Sequence, residues 1–423
     1  MNTDTMPATP CQPTPHAADE AAWVIPGSTA YRRISVALFL AGFATFSLLY
    51  CVQPLLPVFA HEFGIGAAQS SLALSLSTGF LAFSILCASV LSERFGRRGM
   101  MFTSMAIAAV LNLAAALAPD WHSFLIARAL EGLGLGGVPA IAMAYLAEEV
   151  HPRGLGFSMG LYVGGTAFGG MVGRVGMSIM LDHFPWRTTM WALGALDLAV
   201  AIAFVLLLPA SRKLLRSNAG QAVNHLALWR GHLSQTRLSA VFGIGCLVMG
   251  VFVAVYNYAG FRLMAPPFSL SATQTGLIFC SYVFGIVASS AAGACADRFG
   301  RGMILFAGLA VAIAGVTLTL SHALPLVVAG IVVLTIGFFI THSVASSWVG
   351  LLAQGAKGHA SSLYLLAYYA GSSVLGSLGG WFWQNGGWTS VAMFSYVLLA
   401  MCVVLAMHTA SITRRAPTRQ KSA

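Results

Sequence analysis

Charge is scarce in this chain of 423 residues. Asp, Glu, Lys and Arg together make up 8% of it, against about 25% in soluble domains. So few charges cannot cover a water-facing surface, which excludes an ordinary soluble globule and makes lipid the solvent for most of the chain. The seven cysteines (Cys11, Cys51, Cys87, Cys246, Cys280, Cys295, Cys402) lack CxxC or metal spacing, and six lie in or beside apolar runs. They read as small buried hydrophobes, and no disulfide framework or metal site is expected. The first thirty residues lack a basic stretch followed by an apolar core, so they are not read as a cleavable signal peptide. Rich in Pro, Thr and Ala, they are read as a flexible tail. Strict alternation of apolar and polar residues is missing, which argues against a membrane β-barrel. A phosphate-binding loop is missing too. "GLGLGG", 132–137, lies inside an apolar run with no strand before it, so close helix packing is its expected role.

What is present is length of apolar run. A bilayer core of about 30 Å needs roughly 20 apolar residues per helix. Twelve runs qualify: 34–60, 71–91, 99–118, 123–147, 155–180, 187–208, 238–261, 273–295, 303–321, 325–350, 361–383 and 388–409. The fold class expected is an all-α membrane protein of twelve transmembrane helices in two six-helix pseudo-repeats. The divisions are a cytoplasmic N-terminal tail 1–33, a bundle 34–208, a cytoplasmic linker 209–237, a bundle 238–409 and a basic cytoplasmic tail 410–423. Basic residues accumulate in cytoplasmic loops. With both termini inside, eighteen of the 22 Lys and Arg fall on the inner side. Arg187 and Arg262 fall outside, while Arg128 and Arg174 fall within spans. This asymmetry accounts for the net charge of +10 without nucleic acid.

The chain writes one basic loop twice. "SERFGRRGM", 92–100, returns as "ADRFGRGMI", 296–304, each time joining the second span of a half to the third. Gly96 and Gly300 suit a tight turn. Arginines at helix ends meet carbonyl ends, acids or lipid phosphates, and Glu93 or Asp297 stands one turn earlier to pair with them. The repeat extends to the fifth and eleventh spans, which both pass through a Tyr to a glycine-rich face. Trp186 and Trp388 precede the last span of each half. Two such halves are the plan of a rocking transporter.

With these motifs the chain resembles the major facilitator superfamily, in its drug-efflux-like branch. The loop signature G-x-L-a-D-r-x-G-r-k matches at Gly293, Asp297, Arg298, Gly300 and Arg301. The first copy keeps Arg94, Gly96, Arg97 and Arg98, with Ser89 and Glu93 in place of Gly and Asp. "LIARALEGLGLGG", 125–137, resembles the fourth-helix motif, with Arg128 at its arginine. "GGTAFGG", 164–170, resembles the antiporter motif of the fifth helix, with Thr166 in place of Pro. The resemblance covers about 34–409. It implies alternating access driven by an ion gradient, usually of protons, in a bacterial inner membrane.

The resemblance also implies that the first, fourth, seventh and tenth helices line the cavity. Those spans carry Tyr50 and Gln53, Arg128 and Glu131, Tyr256, Asn257 and Tyr258, and His342, Ser343 and Ser346. The fifth and eleventh add Arg174, Tyr364 and Tyr368. Polar groups inside a bilayer are costly and mark function. Arg128 and Glu131 are the proton-coupling candidates, with a structural ion pair as the alternative. Arg128 lies about 8 Å from the start of its helix, so snorkelling to the surface is a third option. Arg174 is a substrate or gate candidate with the same alternative. His342 suits a proton carrier or a hydrogen-bonded helix contact. Asp197, mid-span in the sixth helix, is expected to pack beside a polar neighbour. Glu148 and Glu149, at the inner end of the fourth helix, end in solvent or bridge to Arg97 and Arg98 as a latch.

Three function classes compete. A secondary transporter is favoured by the repeat and the loop signature. A channel would want polar rings. An intramembrane enzyme would want a clustered acid pair or a Ser, His or Cys arrangement, and none is evident. Proton-coupled efflux of a small organic solute leads, with proton-coupled import as the alternative. No cofactor is expected beyond the proton gradient. The expected partners are the bilayer and the solute, the chain being a monomer without nucleic acid.

Overall fold

Backbone surrounded by hydrocarbon must satisfy its own hydrogen bonds, and a helix does so within one segment. The apolar runs accordingly form long helices in the computed structural model. It describes residues 23–209, 225–353 and 355–415, with backbone alone for 89–95 and 410–415. The first half comprises α1 (Thr29–Glu62), α2 (Leu72–Phe95), α3 (Arg97–Ala116), α4 (Trp121–Glu149), α5 (Pro152–Leu181) and α6 (Trp186–Leu207). The second half opens with α7 (Thr236–Met264), α8 (Ala272–Phe299), α9 (Arg301–Thr319) and α10 (Leu324–Leu352). The last two expected spans form one helical run, Lys357–Thr409. It breaks at Gly386 and Gly387, where φ/ψ of −158°/16° and 60°/−151° leave the helix. This divides α11 (357–385) from α12 (388–409). Eleven runs thus carry twelve spans, with borders a few residues from those expected. Most of the linker (210–224), the outer parts of both tails and the side chains of Glu93 and Arg94 lie outside the described residues.

The two halves repeat the same pairings. α1 packs along α5 and α7 along α11; α2 packs on α4 and α8 on α10; α3 packs on α6 and α9 on α12. Glycine makes the first of these contacts possible. A Cβ on Gly165 or Gly169 would come within 2.4 or 2.2 Å of the carbonyl oxygens of Phe39 or Phe43 in α1. At Gly371 in α11 it would meet the Cys246 carbonyl of α7 at 1.9 Å. Large apolar side chains such as Phe83, Leu117, Phe157 and Val287 are exposed, as suits a surface solvated by lipid.

The halves meet through α1 with α7, α2 with α11 and α5 with α8. The hydrogen bonds described between them sit toward the end opposite the basic loops. Ser71 donates to Ser377, Ser75 is bonded to Ser377, and Ser373 donates to the Ser75 carbonyl at 2.7 Å. Gln53 Nε2 donates to Asn257 Oδ1 at 2.7 Å. At the basic-loop end α8 is exposed from Gly293 through Gly300 apart from Cys295 and Ala296.

Candidate functional site

Pro54 lacks the N–H that the Tyr50 carbonyl would accept in a continuing helix, and α1 tightens there into a 3₁₀ turn, Gln53–Leu55. Arg128 of α4 reaches into this break. Its guanidinium donates to the carbonyls of Leu48 (3.4 Å) and Leu49 (3.0 Å) in α1 and of Ala73 (3.1 Å) in α2, and Nη1 pairs with Glu131 Oε2 at 2.5 Å. Both side chains are 0% exposed, so Arg128 does not snorkel. The break in α1 gives it carbonyls to bind, which a surface position would not. Glu131 Oε1 is buried without a partner. Asp197 of α6 packs beside a polar neighbour as expected, its Oδ2 accepting from Ser47 Oγ at 2.9 Å, while Oδ1 has no partner.

A second arginine occupies the junction of the halves. Arg174 of α5 is 2% exposed. It donates from Nε to Gln53 Oε1 at 2.6 Å and from Nη1 to the Gly170 carbonyl at 2.7 Å. The guanidinium lies 4.0 Å over the Tyr50 ring, 5.0 Å over Tyr282 and 5.2 Å over Phe279. It too is held inside rather than snorkelling. Aromatic rings continue from it: Tyr282 to Tyr256 (5.7 Å), Tyr256 to Phe252 (4.7 Å), Phe252 to Phe338 (3.9 Å), Phe338 to His342 (5.8 Å) and His342 to Tyr368 (4.6 Å). Tyr256 shares hydrogen bonds with Ser281 (2.5 Å) and Thr335 (2.7 Å), and His342 with the Tyr364 hydroxyl (2.9 Å). A small cavity of about 10 Å³, room for about one water, lies between the halves and is lined by Gln53, Tyr256, Thr275 and Phe279 among others.

The structure therefore brings Tyr50, Gln53, Arg174, Tyr256 and Asn257 together and continues them to His342, Tyr364 and Tyr368. Two candidates stand apart. Tyr258 donates to the Gly376 and Ser377 carbonyls of α11, and Ser346 turns to the Ser343 carbonyl of its own helix. Tyr282 and Phe279 escape sequence reasoning, because α8 was not among the expected lining helices. A 3₁₀ segment, Leu277–Ser281, precedes them or contains them. A lone Tyr after Ser281 in an apolar run is the only signal.

At the basic-loop end Gly96 (φ 79°) and Gly300 (φ 91°) take the backbone conformation that favours glycine. Arg97 pairs with Glu148 of α4, and Arg98 donates to the Val205 carbonyl at 2.5 Å. In the second copy Arg301 pairs with Asp297 at 2.9 Å, and Arg298 lies over the Phe299 ring at 5.1 Å. Gly293 has open space around it, and Glu149 is buried. Each described pair stays within its own half.

The opposite end carries a contact that sequence reasoning did not find. Asp182, just past α5, accepts from Ser271 Oγ (3.1 Å), Ala272 N–H (3.1 Å) and Thr273 N–H (3.0 Å) at the start of α8. These donors, Thr273 foremost, hold its carboxyl below the usual carboxylate range. At this same end two arginines are matched to the twin tryptophans, Arg187 lying 4.3 Å over Trp186 and Arg262 4.9 Å over Trp388.

The model of the Major Facilitator Superfamily matches residues 38–267 and 247–423. The inner membrane transport protein YnfM of Escherichia coli is 43% identical over 379 residues, which are 90% of this chain and 91% of that one. The uncharacterized MFS-type transporter YybF of Bacillus subtilis is 42% identical over 88% of this chain and 92% of its own. Among solved structures, the nucleoside transporter NupG superposes with a TM-score of 0.72 at 14% identity, covering 90% of this chain and 99% of that one. A bacterial homolog of the human lysosomal transporter Spinster, inward-facing and unoccupied, gives 0.74 at 13%, covering 92% and 99%.

Proposed function

The chain belongs to the major facilitator superfamily, and from that premise we propose that it exports a small organic solute in exchange for protons. It is a multi-pass membrane transporter of small solutes, not an enzyme. The finer reading takes the basic-loop end and both termini as cytoplasmic, in a bacterial inner membrane. Bodies 34–208 and 238–409 then rock about the junction as a monomer, joined by the linker 209–237. The observation that carries it is the distribution of contacts between the halves: hydrogen-bonded clasps at one end, and α8 standing exposed at the other. Such a molecule has one end to open and one to shut, with a buried arginine and aromatic rings between.

Coupling is assigned to Arg128 and Glu131. Arg128 holds Oε2 of the acid and the carbonyls of α1 and α2 together, while Oε1 is left to receive a proton. A proton arriving there weakens the pair and loosens α4 against α1. The twin loops act at the cytoplasmic end. Arg97 with Glu148 and Arg301 with Asp297 brace each half internally and set how the ends approach. Import by symport is the second reading, and Thr166, standing where the antiporter motif has Pro, favours it. A thermal-shift screen of candidate solutes on purified protein, followed by uptake into proteoliposomes, tests the assignment. Solute accumulation against a gradient supports it; steady unitary currents without saturation would replace it with a channel.

A further inference from the structure

The two buried arginines of the spans are in different circumstances. Arg128 has Glu131 beside it. Arg174 has no carboxylate within ion-pair distance among the described residues; the four ion pairs described all belong to other arginines. Rings of Tyr50, Tyr282 and Phe279 take part of the cation's field, but they do not neutralise it. A charge held this way inside a bilayer is costly, and such groups mark function.

The hydrogen bonds running from it have a forced direction. A guanidinium only donates, so Gln53 must present Oε1 to Arg174 Nε. Its Nε2 then faces Asn257 and donates to Oδ1. Asn257 is left with Nδ2 as a donor that is buried and has no acceptor. Both surplus groups of this chain, a cation and an amide N–H, ask for an acceptor with negative charge. A cationic solute would add a like charge in low dielectric, and a neutral one would leave Arg174 uncompensated. The walls beyond are flat rings.

Resting on the reading of the chain as a solute transporter, we propose that its solute is an organic anion with a planar apolar body, an aromatic carboxylate in the simplest case. The carboxylate pairs with the Arg174 guanidinium in its planar fork, and the body lies against Tyr256, Tyr282 and Phe279. Neutralising Arg174 also loosens its hold on the rings of α8, so the solute itself weakens the junction it sits in.

The test compares benzoate, 1-naphthoate and indole-3-acetate with their amides and with benzylamine, by thermal shift and equilibrium binding on purified full-length protein. Acids are expected to bind at least tenfold more tightly than the matching amides, and benzylamine not to bind. Arg174→Gln should remove that preference, while Arg174→Lys, which keeps the charge but loses the fork, should retain part of it. Wild-type protein that binds the acids no better than the amides overturns the proposal, and needs no variant to fold. So does a preference for acids that survives in folded Arg174→Gln. Binding is read apart from transport: Arg174-dependent binding with no flux in proteoliposomes sinks the transport reading alone. Flux of a neutral or cationic solute that Arg174→Gln leaves unchanged sinks the anion alone.

Discussion

Asp182→Ala should shift the molecule toward opening at the end opposite the basic loops. The carboxylate accepts three hydrogen bonds from the start of α8 while sitting at the end of α5, so it ties one half to the other. Replacing a helix-capping carboxylate by alanine costs about 0.5–2 kcal/mol. This one is exposed, and screening places it in the lower part of that range, about 1 kcal/mol. That corresponds to a roughly fivefold change in the ratio of closed to open molecules. Spin labels at 119 and 322, exposed positions in the first and second halves, would read the distance across that end in a background without native cysteines. The ratio of longer-distance to shorter-distance populations should rise about fivefold, with Asp182→Asn in between. The sign of the pH effect follows from the lowered carboxyl. The clasp is complete above the ordinary Asp value and is lost only as pH falls through the depressed one, so the distances should not change between about pH 6 and 8. An unchanged distribution in folded Asp182→Ala would refute the clasp.

Other expectations are as direct. Glu131→Gln should abolish accumulation driven by a pH gradient and spare counterflow, whereas proton-driven accumulation at the wild-type level would remove Glu131 from the mechanism. Arg128→Ala strands a buried acid and three carbonyls, and should cost about 3–5 kcal/mol of stability, read as a large fall in melting temperature; a change within error would contradict the clamp. Asp297→Asn should slow transport while leaving expression and binding intact, and a variant that binds poorly but carries normally what it binds would count against the brace. Cysteines placed in 209–237 should stay unlabelled by an impermeant reagent added outside intact cells; labelling there inverts the topology.

The fold was legible because apolar length answers directly to bilayer thickness, and because duplicated motifs show where the halves correspond. Gly96 and Gly300 could be read as turn residues since few others tolerate that backbone. The pairing of Arg128 with Glu131 follows from their spacing on one helix. The α1 carbonyls Arg128 binds do not, because they depend on a proline break in a helix some eighty residues away. Asp182 was invisible for the same reason: its donors lie about ninety residues on, and only the packing of α5 on the start of α8 brings them within reach. The turn between α11 and α12 was legible, since the expected spans 361–383 and 388–409 leave Gln384, Asn385, Gly386 and Gly387 between them, and the helix breaks at the two glycines.

The central claim is that solute and proton cross by one cycle. Proteoliposomes holding a pH-sensitive dye, given the solute identified by the binding screen, test it most directly. The account predicts saturable, solute-dependent proton movement that Glu131→Gln abolishes while labelled solute still exchanges. Solute flux with no proton movement in the wild-type protein would contradict it.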